Sequence, residues 1–154
     1  GIRDYKVTGV QTCALPICKL PLELVEQALP SALREESVYL KKYCPFPLFA
    51  DEAITHDADF DWLTKAFDGI NMKLMKAGGY RNGLRLLKMA REHGLRTMIG
   101  CMVETTLGIS SAMNLSAEAD YIDLDSYLLL KEEPYRLVTE ENGILSFRKT
   151  GRLG

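Results

Sequence analysis

Five short apolar runs alternate with amphipathic stretches, and each run carries a charged group towards its C-terminal end; this pattern sets the narrowest limit on the fold. The runs are 22–27 (LELVEQ), 46–52 (FPLFADE), 69–75 (GINMKLM), 95–104 (LRTMIGCMVE) and 121–130 (YIDLDSYLLL). Short apolar runs bounded by turn residues read as buried strands, and the stretches between them repeat at helical spacing. The helices expected are 31–43, with Ser31 as cap and Arg34 and Glu35 in the first turn, then 57–67, 80–94 and 105–119. Acidic residues open the second, where the helix dipole favours them, and Gly94 ends the third. Strand and helix in strict alternation imply parallel strands joined by right-handed crossovers, in a doubly wound sheet or a (β/α) barrel. The lone Gly78-Gly79 lacks the spacing of a dinucleotide-binding fingerprint, which favours the barrel. A full barrel takes about 250 residues, so this chain offers roughly half of one. The fold class expected is therefore α/β, a partial (β/α) barrel. The tail 132–154 reads as a hairpin turning at Asn142-Gly143.

The first 18 residues break the pattern. They neither alternate nor repeat at helical spacing, and Gly9, Gln11 and Thr12 interrupt every candidate signal-peptide core. Back-translated, residues 1–17 resemble an indexed short-read sequencing adapter read in frame, with Tyr5 and Lys6 where the index bases lie. Residues 1–18 are thus expected to be a foreign leader, and 19–154 the C-terminal part of a longer protein.

Charge excludes some functions. With 19 Lys and Arg against 21 Asp and Glu, the chain has no basic excess with which to hold nucleic acid or an anionic membrane. No apolar run approaches the roughly 20 residues of a membrane helix, so a soluble, cytoplasmic protein is expected. Cys13 and Cys18 lie in the leader; Cys44 and Cys101 are far apart, lack metal-type spacing and are expected to be buried free thiols.

Active sites of such barrels lie at the C-terminal ends of the strands. The polar residues collected there are Glu26, Asp51 with Glu52, Lys73, Glu104, and Asp123 with Asp125. Singly, a strand-end carboxylate is most often a helix cap or a surface residue. Five successive strands each ending in a charged group are a different matter. Glu26 and Asp51, on neighbouring strands, are hard oxygen ligands of the kind Mg²⁺ prefers. Lys73 on the next strand, beside a divalent cation and partly desolvated, is expected to have a lowered pKa suited to taking a proton. Metal plus lysine suits proton abstraction next to a carboxylate, whose enediolate product requires a fixed positive charge. Asn71, two residues before Lys73 and on the same side of its strand, is either a core amide or a support for the site.

Together ELVEQ, PLFADEA, INMKLMKAGG, CMVETTLGISSA and DLD resemble the muconate-lactonising subgroup of the enolase superfamily, and the Asp-x-Asp is similar to that of its dipeptide epimerases. The resemblance covers 19–154 and implies strands four to eight of a (β/α)₇β barrel. It implies that Glu26 and Asp51 are the second and third of three Mg²⁺ ligands, and that Lys73 is one of two acid/base lysines facing each other across a substrate α-carbon. Asp123 and Asp125 would hold the α-ammonium group of a dipeptide; Glu104 would bind substrate; Glu52 and Asn71 would support. The family's first metal ligand and opposing lysine would stand before Lys19, so the chain alone is expected to be inactive. The resemblance leaves room for a homo-oligomeric parent, for cycloisomerase or o-succinylbenzoate synthase chemistry, and for a non-catalytic fragment.

Overall fold

The computed structural model describes residues 21–148, so the leader reading lies outside the described residues. Five strands form one sheet: β1 Val25–Glu26, β2 Leu48–Ala50, β3 Gly69–Lys73, β4 Arg96–Gly100 and β5 Tyr121–Ile122. Every neighbouring pair is parallel, and the spatial order equals the chain order. A doubly wound sheet would reverse direction part-way; a singly wound one curls into a barrel wall. The fold is a half-barrel of five parallel strands.

Helices α1 Arg34–Tyr43, α2 Phe60–Ala66, α3 Leu74–Ala77, α4 Tyr80–Glu92 and α5 Thr106–Met113 join the strands. Leu63, Leu86, Leu87, Ala90 and Ile109 on these helices are fully buried with Ile70, Met72 and Ile99 of the sheet. Inside the curve, the Phe49 ring is fully buried, edge-on to Tyr121. Position 69 must be glycine for this, since a Cβ there would lie 2.4 Å from the ring. At the strand entrances two aspartates do parallel work. Asp68 accepts from Leu48 N (2.9 Å), the first residue of β2, and Asp120 from Thr97 N (2.8 Å), the second of β4, satisfying an amide at the start of the adjacent strand.

Several boundaries differ from expectation. The first strand shrinks from 22–27 to two residues, because β2 pairs only with Val25 and Glu26. The first helix begins at Arg34, with Leu33 at the cap position, so Ser31 caps nothing; Pro30 and Leu33 close a turn there instead. The third run ends at Lys73, where α3 takes over, and 105–119 and 121–130 each close in a short 3₁₀ turn. The hairpin is present: β6 Val138–Glu141 pairs antiparallel with β7 Ile144–Phe147. Its two turn residues have positive φ, 52° at Asn142 and 80° at Gly143, the combination that Asn-Gly favours. Cys44 and Cys101 are free but only partly buried. Among the described residues no helix is long and apolar enough to cross a membrane.

Asp59 is the N-cap of α2, accepting from Trp62 N, and pairs with Arg34 of α1, whose guanidinium also lies 4.3 Å from the centre of the Trp62 ring. The hydrogen bond from Arg34, then that from Trp62 N, hold the Asp59 carboxyl below the usual aspartate range. A depressed folded-state pKa stabilises above the unfolded value, about 3.9, and that stabilisation is lost as the pH falls through the folded one. Urea unfolding of the chain and of Asp59→Asn, which keeps the cap but not the charge, should therefore differ at pH 6 and converge towards pH 2.

Candidate active site

The parallel order brings all five strand ends to one rim. Glu26 is the last residue of β1, Asp51 the first after β2, Lys73 the last of β3 and Asp123 the first after β5. Three of them meet. The Lys73 ammonium donates to Asp51 Oδ2 at 2.7 Å and lies 3.7 Å from Glu26 Oε1. Asn71 Nδ2 donates to the same Glu26 oxygen at 2.8 Å. The side chains are largely buried, Asp51 to 10% exposure and Lys73 to 15%.

A fifth member was not singled out from the sequence. Lys76 donates to Asp51 Oδ1 at 2.6 Å and to the Asp51 carbonyl at 3.1 Å, so the two Asp51 carboxylate oxygens are held by two lysines. The signal was present as the spacing of three in KLMK: the chain turns into α3 immediately after Lys73, which places residues three apart on one side. Gln27 is a sixth. Its Oε1 accepts from Asp51 N at 2.8 Å and Ala53 N at 3.2 Å, and its Nε2 donates to Leu29 O at 2.7 Å.

The electrostatics follow from this packing. Burial pushes the Glu26 carboxyl up; the Asn71 hydrogen bond opposes this, and repulsion from Asp51 adds to it. Burial also works against ionisation of Asp51, but the hydrogen bonds from Lys73 and Lys76 outweigh it and hold that carboxyl below the usual range. Burial would lower Lys73, yet its hydrogen bond to Asp51 and the charges of Asp51, Glu26 and Glu52 raise it. The upward direction is that set by the protein groups alone, whereas the lowered pKa expected from the sequence is for a lysine beside a divalent cation. The physical reason is that Lys73 is itself the counter-cation of both carboxylates.

The other rim residues stand further off. Glu52 is exposed and acts on Lys73 through charge alone. Asp123 and Asp125 lie together and exposed at the end of β5; desolvation first, then the Asp125 charge, raises the Asp123 carboxyl, while Lys73 lowers it. Glu104 turns back towards α5: its carboxylate accepts from Met102 N at 3.3 Å and covers Gly108, where a Cβ would lie 1.9 Å from it. Across the chain, Glu133 accepts from Thr106 N and Thr106 Oγ1, both at 2.9 Å, tying the tail to the start of α5.

Asn71 is 1% exposed, and its Oδ1 has no hydrogen-bond partner among the described residues. The amide fits only because residue 100 is glycine; a Cβ there would lie 2.4 Å from Oδ1 and 2.6 Å from Nδ2. Gly100→Ala should therefore push Asn71 off Glu26 and cost about 1–3 kcal/mol by overpacking, read by urea unfolding. Unchanged stability would mean that the amide relocates without strain.

Comparison with known proteins places this geometry. The family model described as Enolase C-terminal domain-like matches residues 11–142, beginning inside the segment read as a leader. The L-Ala-D/L-amino acid epimerase of Pedosphaera parvula is 42% identical over 127 residues, 82% of this chain and 37% of that protein. The structure of the L-Ala-D/L-Glu epimerase from Bacillus subtilis in a substrate-liganded complex superposes with a TM-score of 0.78 at 30% identity, covering 92% of this chain and 41% of that one. A dipeptide epimerase from Cytophaga hutchinsonii, complexed with Mg and D-Ala-L-Val, shares the fold with a TM-score of 0.77 at 24% identity, covering 88% and 38%. The chain thus spans about two fifths of the length of these relatives. With a five-stranded parallel half-barrel, strand-end carboxylates and a lysine on one rim, and a family match over most of its length, the chain belongs to the Enolase C-terminal domain-like family.

Proposed function

We propose that this segment carries one side of the active site of a Mg²⁺-dependent dipeptide epimerase, with Lys73 moving the proton at the substrate α-carbon. The observation that supports it best is the meeting of Lys73, Asp51 and Glu26 at the rim. Glu26 and Asp51 suit two positions around an oxygen-coordinated Mg²⁺, both being hard carboxylate donors on adjacent strand ends that already share one cation. Bound there, Mg²⁺ would supply the fixed positive charge that offsets a developing enediolate and relieves Lys73 of serving as their counter-cation. Asn71 holds Glu26, and Lys76 holds Asp51 from the side away from Lys73, so both carboxylates are oriented before any ligand arrives. Asp123 and Asp125 repel each other on the rim, a tension that an α-ammonium group between them would relieve. The all-anionic substrates of cycloisomerases or o-succinylbenzoate synthases would aggravate it.

The test is deuterium incorporation at the α-carbon of L-Ala-L-Glu and related dipeptides with Mg²⁺, using the complete protein that carries this segment. Exchange that fails when Asp123 and Asp125 are both made Asn supports the dipeptide reading. Exchange undiminished by that change, or seen only with substrates lacking an α-ammonium group, overturns it.

A further inference from the structure

Gln27 sits between the two carboxylates proposed as metal ligands, in a backbone conformation that glutamine rarely adopts. Its φ is 38°, in the left-handed region, one of only three non-glycine residues so placed among the described residues. The other two, Arg136 and Asn142, lie in the C-terminal tail and its hairpin turn, where such geometry is usual. At Gln27 the chain is instead leaving a strand. A β-carbon in that region is strained, and the strain persists only where surrounding contacts enforce it.

The contacts that enforce it are those of the side chain and backbone together. Gln27 N donates to Phe49 O at 2.8 Å, extending the ladder between β1 and β2 by one bond. The side-chain amide then crosses to the loop after β2, where one oxygen takes both Asp51 N and Ala53 N, while its nitrogen is fixed on Leu29 O. Asp51 N is the amide of the carboxylate residue itself. The residue next to Glu26 therefore grips the backbone of Asp51.

We infer that Gln27 is a positioning residue that fixes Asp51 relative to Glu26, setting the spacing of the two oxygen donors for a divalent cation. This rests on the metal reading of the site given above. Lys76 sets which way the Asp51 carboxylate points; Gln27 sets where its backbone stands. A rigid pair of donors binds a cation without first being ordered, so loosening the clasp lowers affinity although no ligand and no charge is removed.

Two variants separate positioning from simple stabilisation. Gln27→Met keeps the length of the side chain and removes its hydrogen bonds. Gln27→Gly also removes them but relieves the positive φ, so as a purely structural change it should be close to neutral. The readouts on the complete protein that carries this segment are amide hydrogen exchange by NMR and binding of Mn²⁺, which takes the same oxygen donors as Mg²⁺, followed by its electron paramagnetic resonance signal. In both variants Asp51 and Ala53 amides should exchange at least about tenfold faster with the β3 amides unchanged, and the Mn²⁺ dissociation constant should rise about fivefold or more. Asp51→Asn is the reference. If it weakens Mn²⁺ binding while both Gln27 variants bind as the parent chain does, Gln27 is not a positioning residue and the metal reading stands. If Asp51→Asn also leaves binding unchanged, the metal reading fails and this inference fails with it.

Discussion

Lys73→Arg in the complete protein should fold as the parent does and lose α-proton exchange from the epimer whose α-hydrogen faces Lys73 by about 10²–10⁴-fold, the usual contribution of a positioned acid or base. Arginine keeps the positive charge that Asp51 and Glu26 require, but its guanidinium does not give up a proton at any working pH. Lys73→Ala should lose exchange to the same degree. Its fold should survive, because Lys76 remains on Asp51 Oδ1 and Asn71 on Glu26 Oε1, so neither carboxylate is left alone. The two variants separate charge from chemistry: equal loss of exchange assigns Lys73 to proton transfer. If arginine preserves exchange, Lys73 acts only as a counter-charge and the epimerase mechanism is lost. The measurement is deuterium uptake from D₂O at the α-carbon of each dipeptide epimer, alongside urea unfolding of each variant.

The residues that meet at the rim were legible because parallel strands convert order in the sequence into position in space. Each of Glu26, Asp51 and Lys73 ends an apolar run, and runs that enter a sheet in the same direction end on the same side. Their partners were harder to see for particular reasons. Lys76 looked like one more residue of a family signature, because the spacing of three in KLMK sets it beside Lys73 only once the strand is seen to stop at Lys73 and the next turn to be helical. Gln27 was hidden because its role depends on a positive φ, and that conformation is imposed by contacts 24 residues away in the chain. Glu104 ended its run as the others did, but the chain leaves the strand at Gly100, four residues earlier, and the side chain is drawn back to Met102 N and Gly108. The short outer strands were overestimated for a related reason. Apolar character in 22–27 and 121–130 marked the segments but not their extent, since Ile122, Leu128 and Leu129 are exposed and strand length is decided by how much ladder the neighbour offers, here two residue pairs on each side.

Phe49→Ala should be the most destabilising single change inside the curve of the sheet, costing about 3–5 kcal/mol of a stability that for such domains totals about 5–15 kcal/mol. The ring is fully buried, touches Tyr121 three strands away, and lies two residues before Asp51 on the same side of β2. Gly69→Ala should also destabilise, by about 1–3 kcal/mol, because the added methyl would meet the ring at 2.4 Å and the ring, held against Tyr121, has little room to retreat. These two costs should not add. Once the ring is gone, a methyl at residue 69 fills part of the space it left and replaces a glycine in a strand, where glycine is unfavourable. Gly69→Ala should then be neutral or stabilising in the Phe49→Ala background, an interaction of roughly 1–3 kcal/mol between the two positions, within the range measured for residues in contact. Urea unfolding of the four proteins of this cycle gives the value directly. Additive costs would show that Gly69 is required by its own backbone and not by the ring, and that the interior of the half-barrel is not organised around Phe49.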